Sequence, residues 1–475
     1  MRIAAATPSP AALEAALEIA GAGGGAVDAA IAATCVGLVN EFGVCAPGSG
    51  GFVAVGGDTT PAVVYDGYTA VPGLEMPPAR EVVEHTATME YGGGVTTVVG
   101  PGSIGTPGIW AALAAAHQAH GRVRWDVVPG PAARLARTGC TLGPAVFTYL
   151  EHAHEAVFGH DRAAWGLIHD GSGHLIPPHQ PVVMTDLAAT LDRIADDGVG
   201  VLYGGPLGRR IADDLADRGG RLTLADLAGY RAVSRAPLRV MAGGWEVDLN
   251  PAPAVGGRDV AGVLERLEGS TRDARAHVAA QRDVFERRLR GEPLGSPSTI
   301  HVSVVDETGV ACAITASSGY CSGVIPAGTG FLMNNAMGEL ELLDGRALIP
   351  GERLVSNMAP TVASHRDGSV LAIGSPGASR ITSALAQVLS ALILEGDDLV
   401  ESVGRARLHV EVGSEGVSVS AEPGVDLEGV EFRRRMYTGP HMYFGGVAAA
   451  LRRPDGNLLA VADPRRQGAA AVGPR

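Results

Sequence analysis

Hydrophobic and polar positions along the chain follow two periods, which predict helices and strands in different regions. Residues 8–21 carry alanine and leucine at helical spacing and end at a glycine. The next stretch, 21–41, is almost wholly apolar and consists of small residues, which predicts a helix buried on all sides. Residues 48–57 and 62–68 have the pattern of adjacent strands punctuated by glycine. The N-terminal region therefore predicts a buried helix pair beside a sheet.

Helical patterns dominate the middle of the chain. Residues 106–160 and 185–235 are predicted to be mostly helical, and residues 237–251 have the pattern of a hairpin. The charged segment 258–290 has the spacing of an amphipathic helix.

The character of the sequence changes at residue 299. In "TIHVSVVD" (299–306) apolar residues occupy positions 300, 302, 304 and 305, close to a period of two. A helical pattern over 379–396 and further short strands follow. Because helices of small residues alternate with antiparallel strands, we expect an α/β (α+β) fold in which helices cover sheets. No linker or repeat separates domains, so one compact unit is predicted.

Composition and charge narrow the class of protein. With 475 residues, 46% hydrophobic and 19% charged, the chain is typical of a globular enzyme-sized protein. The net charge of −14 argues against nucleic acid or an anionic membrane surface as partner. The five scattered cysteines form no CxxC pair, so buried or free thiols are expected. The N-terminal region lacks the apolar core of a signal peptide and no long apolar run follows, which predicts a cytoplasmic protein.

Common cofactor and metal motifs are missing from the sequence. It contains no GxxxxGK[ST], no HExxH, and no GxSxG between a strand and a helix. A glycine run at 21–27 follows a helix rather than a strand, unlike a dinucleotide-binding loop. His152, His154 and His160 lie near Asp161, but their spacing fits no single helix face. Surface histidines are therefore favoured over a metal site, and no cofactor is expected.

The remaining candidate chemistry lies in three hydroxyls and one glycine-rich turn. A threonine hydroxyl that cleaves an amide needs a base for its proton. If the chain is cut before Thr299, the new α-amine, with an ordinary pKa of about 8, can be that base. Thr315 and Ser317 are two residues apart and so share one strand face. The turn in "GSPGASRI" (374–381) precedes a predicted helix and can offer backbone N–H groups to an oxyanion.

Several sequence motifs follow one another along most of the chain: "GAGGGAVDAAIAATCVGLVNE", "GSGGFVAV", "LTLADLAGYRAVSRAPL", "TIHVSVVD", "GTGFLMNNAMGE", "LVSNMAPT", "GSPGASRI" and "ADPRRQGAA". In this order they resemble the γ-glutamyltransferase family of N-terminal-nucleophile (Ntn) hydrolases. The resemblance implies a four-layer αββα sandwich. It also implies self-cleavage between Ser298 and Thr299, giving segments 1–298 and 299–475 that stay associated as one intertwined unit.

The resemblance also implies catalytic roles at matching positions. Thr299 is the expected nucleophile, and its α-amine is the expected general base. Thr315 matches the residue beside the nucleophile, and Ser317 replaces a second threonine while keeping a hydroxyl. Gly377 and Ala378 match two glycines whose backbone N–H groups form the oxyanion hole.

The substrate clamp of the family is altered. The arginine that grips the substrate α-carboxylate has no counterpart in register within 68–82, where Arg80 lies several residues late and is the candidate substitute. Because charge-assisted hydrogen bonds contribute roughly 1.5–3 kcal/mol each, these changes point away from glutathione. Further pocket positions have changed as follows: Gly319 for an asparagine, Ala336 for a glutamine, Glu339 for an aspartate, and Ser356-Asn357 for two serines.

These features lead to one main hypothesis and two alternatives. The region between Pro251 and Ser298 is short for the family. In this respect and in its altered pocket, the chain resembles actinobacterial homologues in antibiotic pathways to 4-alkylproline units. Those homologues are linked to hydrolytic C–C cleavage, in which threonine attacks a keto carbonyl. The main hypothesis is an autoprocessing threonine hydrolase acting through an acyl-enzyme on a small amino-acid-like substrate. The alternatives are a conventional γ-glutamyl hydrolase or transferase and a non-catalytic binding protein with the same fold.

Overall fold

Two antiparallel sheets form the centre of the molecule. The computed structural model describes residues 1–90, 94–289, 299–339, 343, 347–413 and 416–474. Its strands are β1 (Ile3–Thr7), β2 (Gly50–Gly57), β3 (Val63–Gly67), β4 (His85–Met89), β5 (Val95–Val99), β6 (Val233–Arg235), β7 (Leu238–Ala242), β8 (Trp245–Leu249), β9 (Thr299–Asp306), β10 (Val310–Ser317), β11 (Thr361–His365), β12 (Val370–Gly374), β13 (Leu408–Gly413), β14 (Gly416–Ala421), β15 (Arg433–Met436), β16 (Ala448–Arg452), β17 (Leu458–Ala462) and β18 (Ala469–Gly473).

Helices surround the sheets on both sides. A short π-helical segment, Ser390–Glu395, directly follows the α-helix Arg380–Leu389. The helices are α1 (Pro10–Gly21), α2 (Ala26–Asn40), α3 (Ile109–His120), α4 (Gly130–Thr138), α5 (Pro144–Phe158), α6 (Arg162–Ile168), α7 (Thr185–Asp197), α8 (Pro206–Asp217), α9 (Leu224–Gly229), α10 (Gly256–Leu267), α11 (Ala274–Leu289), α12 (Arg380–Leu389) and α13 (Leu399–Gly404).

Strands from both sides of residue 299 share each large sheet. The seven-stranded sheet has the order β18-β1-β9-β10-β2-β3-β6, and the six-stranded sheet has the order β17-β16-β12-β11-β8-β7. Neighbouring strands in both sheets are antiparallel. A chain cut before Thr299 would leave two pieces joined by backbone hydrogen bonds in both sheets.

The two sheets pack face to face between helical layers. Apolar residues of the first sheet, including Phe52 and Val305, share a core with Leu371 of the second. On the other face of the first sheet, helix α2 is buried along its whole length. A Cβ atom at Gly37 would lie 2.8 Å from Ile300 Cδ1, so glycine lets α2 approach β9 closely. Helices α10 and α12 pack on the second sheet, which confirms the predicted αββα sandwich.

Local departures from the predicted elements have physical causes. The helical prediction for 185–235 is wrong at its end, because β6 pairs with the edge of β3 and Arg235 Nε donates to buried Asp66 (2.8 Å). The predicted helix 258–290 is interrupted, giving α10 and α11. The hairpin predicted at 237–251 is confirmed as β7 and β8. None of the helices in the described ranges is both long and apolar enough to span a bilayer.

Candidate active site

Thr299 is the first residue of β9, and its side chain belongs to the strand face that meets the second sheet. Alternation along the strand places Thr299, His301 and Ser303 on one face. Ser303 Oγ donates to the carbonyl oxygen of Ala448 in β16 (3.0 Å), which identifies that face as the one between the sheets. Thr299 is 3% exposed. The predicted nucleophile therefore lies between the sheets at the end of a strand.

The register of β9 and β10 decides which hydroxyl lies beside Thr299. Ser317 is directly opposite Thr299, and Thr315 is opposite His301. In an antiparallel pair each step along one strand is a step back along the other, and directly opposed side chains are neighbours. Ser317 is therefore the residue directly opposite Thr299, and Thr315 is a diagonal neighbour on the same face.

The hydroxyl of Thr315 is committed to a buried hydrogen-bonded chain. His301 Nδ1 lies 2.8 Å from Thr315 Oγ1, and His301 Nε2 lies 2.8 Å from Ser303 Oγ. Because the Ser303 hydroxyl donates to Ala448, it must accept from His301 Nε2–H. Burial lowers the pKa of His301 to about 3, so the ring is neutral and Nδ1 accepts from Thr315. Thr315 thus fixes His301, a residue that the sequence analysis did not single out.

The predicted oxyanion turn joins β12 to α12. Gly377 has φ 135° and Ala378 has φ 57°, the latter in the left-handed region where a non-glycine residue is strained. Arg380 N donates to Gly377 O (3.0 Å) and Ile381 N to Ala378 O (3.2 Å), which closes the turn. Pro376, just before it, lines the same cavity as Thr299. The assignment of these N–H groups to an oxyanion remains a prediction.

A small cavity opens beside Thr299 and contains an acidic residue that the sequence analysis missed. It holds about 50 Å³ and is lined by Thr299, Glu41, Pro376 and Arg466, among others. Burial raises the pKa of Glu41 to about 7, and the nearby positive charge of Arg466 partly opposes that rise. Glu41 follows the last residue of α2 and is distant from Thr299 in sequence. No local pattern in the chain connects the two residues.

Two of the predicted substrate-binding residues meet at Tyr68. Burial raises the pKa of Tyr68, the negative charge of Glu339 raises it further, and a hydrogen bond with Ser356 opposes the shift. Glu339 lies close to Gly319, because a Cβ atom at Gly319 would lie only 2.5 Å from Glu339 Oε1. Gly319 follows Ser317 by two residues, so this cluster borders the nucleophile.

The other predicted binding residues have different surroundings. Asn357 accepts a hydrogen bond through Oδ1 from Nη2 of Arg288 near the end of α11, and Arg288 Nη1 lies 3.3 Å from Asp259. The structure does not bring Arg80 to the Thr299 cavity: its Nη1 donates to the carbonyl oxygen of Gly220 (3.3 Å). Ser298, the predicted residue before the cut, lies outside the described residues.

The histidines near Asp161 have separate partners. His154 Nδ1 lies 2.9 Å from His169 Nε2, and His160 stacks on His85 at 4.0 Å between ring centroids. Asp161 accepts from Ala164 N (2.7 Å) at the start of α6. Within the described ranges no group of three or more histidine, cysteine or acidic residues has the geometry to hold a metal ion.

Comparisons with known proteins agree with this geometry. A family model described as Gamma-glutamyltranspeptidase matches residues 12–286 and 272–473. The chain is 25% identical to the glutathione hydrolase proenzyme of Escherichia coli strain K12, over 93% of this chain and 87% of that protein. It is 28% identical to the acylase ACY 1 proenzyme of Pseudomonas sp. strain V22, over 97% and 92% respectively. The crystal structure of a cephalosporin acylase from Bacillus halodurans superposes with TM-score 0.81 at 22% identity, covering 99% of this chain and 95% of that one.

Proposed function

The chain belongs to the gamma-glutamyltranspeptidase family of Ntn hydrolases, and we propose that Thr299 is its nucleophile, released by self-cleavage after Ser298. The observation that carries this proposal is the β9–β10 register, which pairs Ser317 directly with Thr299 at a strand end. A cavity adjoins the same residue. The hydroxyl would thus have a hydrogen-bonding neighbour and access to a reacting carbonyl.

The proposed reaction is acyl transfer through Thr299. Its α-amine takes the hydroxyl proton while Oγ1 attacks the substrate carbonyl carbon. Ser317 orients the hydroxyl, and the N–H groups of Gly377 and Ala378 stabilise the oxyanion. The leaving group takes the proton from the α-ammonium and departs, leaving an ester on Thr299. Water, activated by the same amine, then hydrolyses the ester.

We propose a small amino-acid-like substrate other than glutathione. Glu339 fills space beside Gly319 that an asparagine side chain would need. Two relatives are named a glutathione hydrolase and an acylase, so carbonyl attack with loss of an amine is the reaction common to those names. The more specific version of the proposal is a biosynthetic hydrolase of an antibiotic pathway, in which the leaving group is a stabilised carbanion and a C–C bond breaks. The product released as the acyl-enzyme forms, an amine or a carbon acid, distinguishes the two.

Mass spectrometry of the intact protein tests the nucleophile. Wild type is expected to separate into segments 1–298 and 299–475 under denaturing conditions, whereas Thr299→Ala remains one chain. The expected loss of activity in the variant is at least about 10³-fold, the scale seen when a catalytic nucleophile is removed. A wild-type chain that stays intact under all conditions, indistinguishable from Thr299→Ala, would contradict the assignment.

A chromogenic γ-glutamyl anilide tests the substrate class. Turnover is expected to be slow or undetectable in preparations that have fully cleaved. Robust turnover would instead support the conventional γ-glutamyl hydrolase or transferase. Cleavage without any turnover leaves the nucleophile assignment intact and directs the search to other carbonyl compounds.

A further inference from the structure

Self-cleavage poses a problem that the mature reaction does not have. Before the cut, the nitrogen of Thr299 belongs to a peptide bond and has no basic lone pair. The α-amine that serves later turnovers is thus absent during the first reaction. A different group must accept the Thr299 hydroxyl proton, and the surroundings of Thr299 restrict the choice. This inference rests on the proposed self-cleavage.

Two titratable neighbours in the cavity are already engaged. His301 uses both ring nitrogens in hydrogen bonds to Thr315 and Ser303, and its pKa is lowered to about 3. Asp463 lies 2.6 Å from Arg407 Nη2 and 3.2 Å from Arg465 Nη1, and it also accepts from a backbone N–H. Both ring nitrogens of His301 are thus occupied, and the Asp463 carboxylate is held by two guanidinium groups and a backbone N–H.

Glu41 is differently placed. Its side chain lines the same cavity as Thr299, and Arg466 lines it as well. A cavity of about 50 Å³ holds at least one water molecule, which needs roughly 10–15 Å³. The cavity therefore has room for a water molecule that relays a proton between Thr299 and Glu41. Burial raises the pKa of Cys45 and of Cys140 to about 11, and the negative charge of Glu41 adds to both shifts, so both side chains stay thiols.

We propose that Glu41 is the proton acceptor of the self-cleavage step. The Thr299 Oγ1–H bond breaks, the proton moves to the Glu41 carboxylate, and Oγ1 bonds to the carbonyl carbon of Ser298. The C–N bond then breaks, and the Thr299 nitrogen takes the proton back from the Glu41 carboxylic acid. The resulting ester is hydrolysed by water, giving a carboxylate on Ser298 and restoring the Thr299 hydroxyl.

The titration of Glu41 supports this role. Its pKa of about 7 makes the carboxylate a stronger base than an ordinary glutamate and leaves about half of it ionised at neutral pH. The Arg466 guanidinium holds the pKa below the value that burial alone would give. The charged and titratable groups that line the cavity with Glu41 are Arg466, Asp463 and His301, and the positive charge of Arg466 opposes the effect of burial on the Glu41 pKa.

The test follows cleavage of the full chain after cell-free synthesis. Newly made protein is transferred to a series of buffers that brackets pH 7, and intact mass gives the cleavage rate. For wild type we expect the rate to rise with pH, to be half-maximal near pH 7, and to level off above it, because Glu41 must be ionised. Glu41→Gln should cleave about 10²-fold more slowly or worse and lose that inflection.

Two further variants separate a chemical from a structural effect. Arg466→Gln removes the positive charge that lowers the pKa of Glu41, so the half-maximal pH should move upward. Glu14→Gln, on the exposed side of α1, is the matched control and should cleave like wild type. Thermal unfolding of Glu41→Gln and Thr299→Ala is measured as well, and both variants should unfold cooperatively as folded proteins do.

The outcomes distinguish this inference from the proposal beneath it. If wild type never cleaves, the proposed function fails and this inference fails with it. If wild type cleaves and folded Glu41→Gln matches its rate, only this inference is overturned. A slower Glu41→Gln that keeps the inflection near pH 7 also overturns it, because another group would then be titrating.

Discussion

Two neighbouring parts of the candidate site are built differently. We call the part with Thr299 and Ser317 the reaction end, and the part with Gly319, Glu339 and Ser356 the recognition end. Thr299 and Ser317 belong to two adjacent strands, where backbone pairing determines which side chains are neighbours. Gly319, Glu339 and Ser356 belong to connections that follow strands or lie between them. In the strands a hydroxyl can be exchanged for another without moving its neighbours. In the connections one substitution changes the space available to several residues.

Gly319 shows this coupling most clearly. A Cβ atom there would lie 2.2 Å from Asn335 Oδ1 and 2.5 Å from Glu339 Oε1. Asn335 cannot move away easily, because Oδ1 accepts from Tyr320 N (2.7 Å) and Nδ2 donates to Thr97 Oγ1 (3.1 Å). Introducing the asparagine that the family resemblance implies at this position would therefore require Asn335 and Glu339 to move as well.

The largest expected effect on stability comes from Gly319→Ala. The new methyl group would overlap two polar side chains, and the backbone has φ 63°. Overpacking costs about 1–3 kcal/mol and a left-handed L-residue about 1–2 kcal/mol, so we expect a loss of about 3 kcal/mol. Urea unfolding measures it. Gly396→Ala is the matched control, with φ 79° and nothing within 4 Å of its Cβ position. Equal losses in the two variants would show that the coupling is absent.

The next largest effect compares the two hydroxyls of β10. Ser317→Ala should slow self-cleavage about tenfold to a hundredfold, since a hydrogen bond to a charged or developing charged group contributes roughly 1.5–3 kcal/mol. Thr315→Val should change that rate less. It leaves Nδ1 of buried His301 without its donor, so we expect it to lower stability by about 1–3 kcal/mol.

Intact-mass kinetics and thermal unfolding of both variants separate these effects. Thr315→Ser keeps the hydroxyl and should recover most of the stability lost in Thr315→Val. If Thr315→Val slowed cleavage more than Ser317→Ala while remaining folded, the register would not describe the reacting geometry.

Many of the strands and helices could be predicted from the sequence, because strand alternation and helical periodicity are local, whereas the four-layer arrangement was implied by the family resemblance. The alternation at 299–306 correctly predicted the strand β9, whose two faces are both buried. Which hydroxyl faces Thr299 could not be predicted, because it depends on the turn between β9 and β10. There Gly309 N donates to Asp306 O (3.0 Å), and a turn one residue longer would shift the register.

The rest of the site depends on long-range packing. Glu41 reaches the cavity because α2 packs on β9, and nothing near either residue in sequence records that contact. Arg80 was favoured because it lies near the segment that carries the family's arginine. Its loop instead places it against Gly220, where it cannot replace the clamp.

The smallest expected effect is at Ala378, within the oxyanion turn. Its φ of 57° costs an alanine about 1 kcal/mol, which Ala378→Gly would relieve. The substitution also removes a buried methyl group, at about 0.8 kcal/mol, and increases the entropy of the unfolded chain by roughly 0.4–1 kcal/mol. These terms nearly cancel, so the free energy of unfolding measured in urea should change by less than about 1 kcal/mol.

Gly377→Ala provides the contrast: φ 135° lies outside the left-handed minimum, and its Cβ atom would lie 3.0 Å from Gly445 Cα. It should therefore destabilise the protein clearly more than Ala378→Gly. Equal effects at the two positions would mean that the turn is not held in this conformation. The predicted inequality explains how this turn keeps its backbone conformation with an alanine at position 378 while position 377 requires glycine.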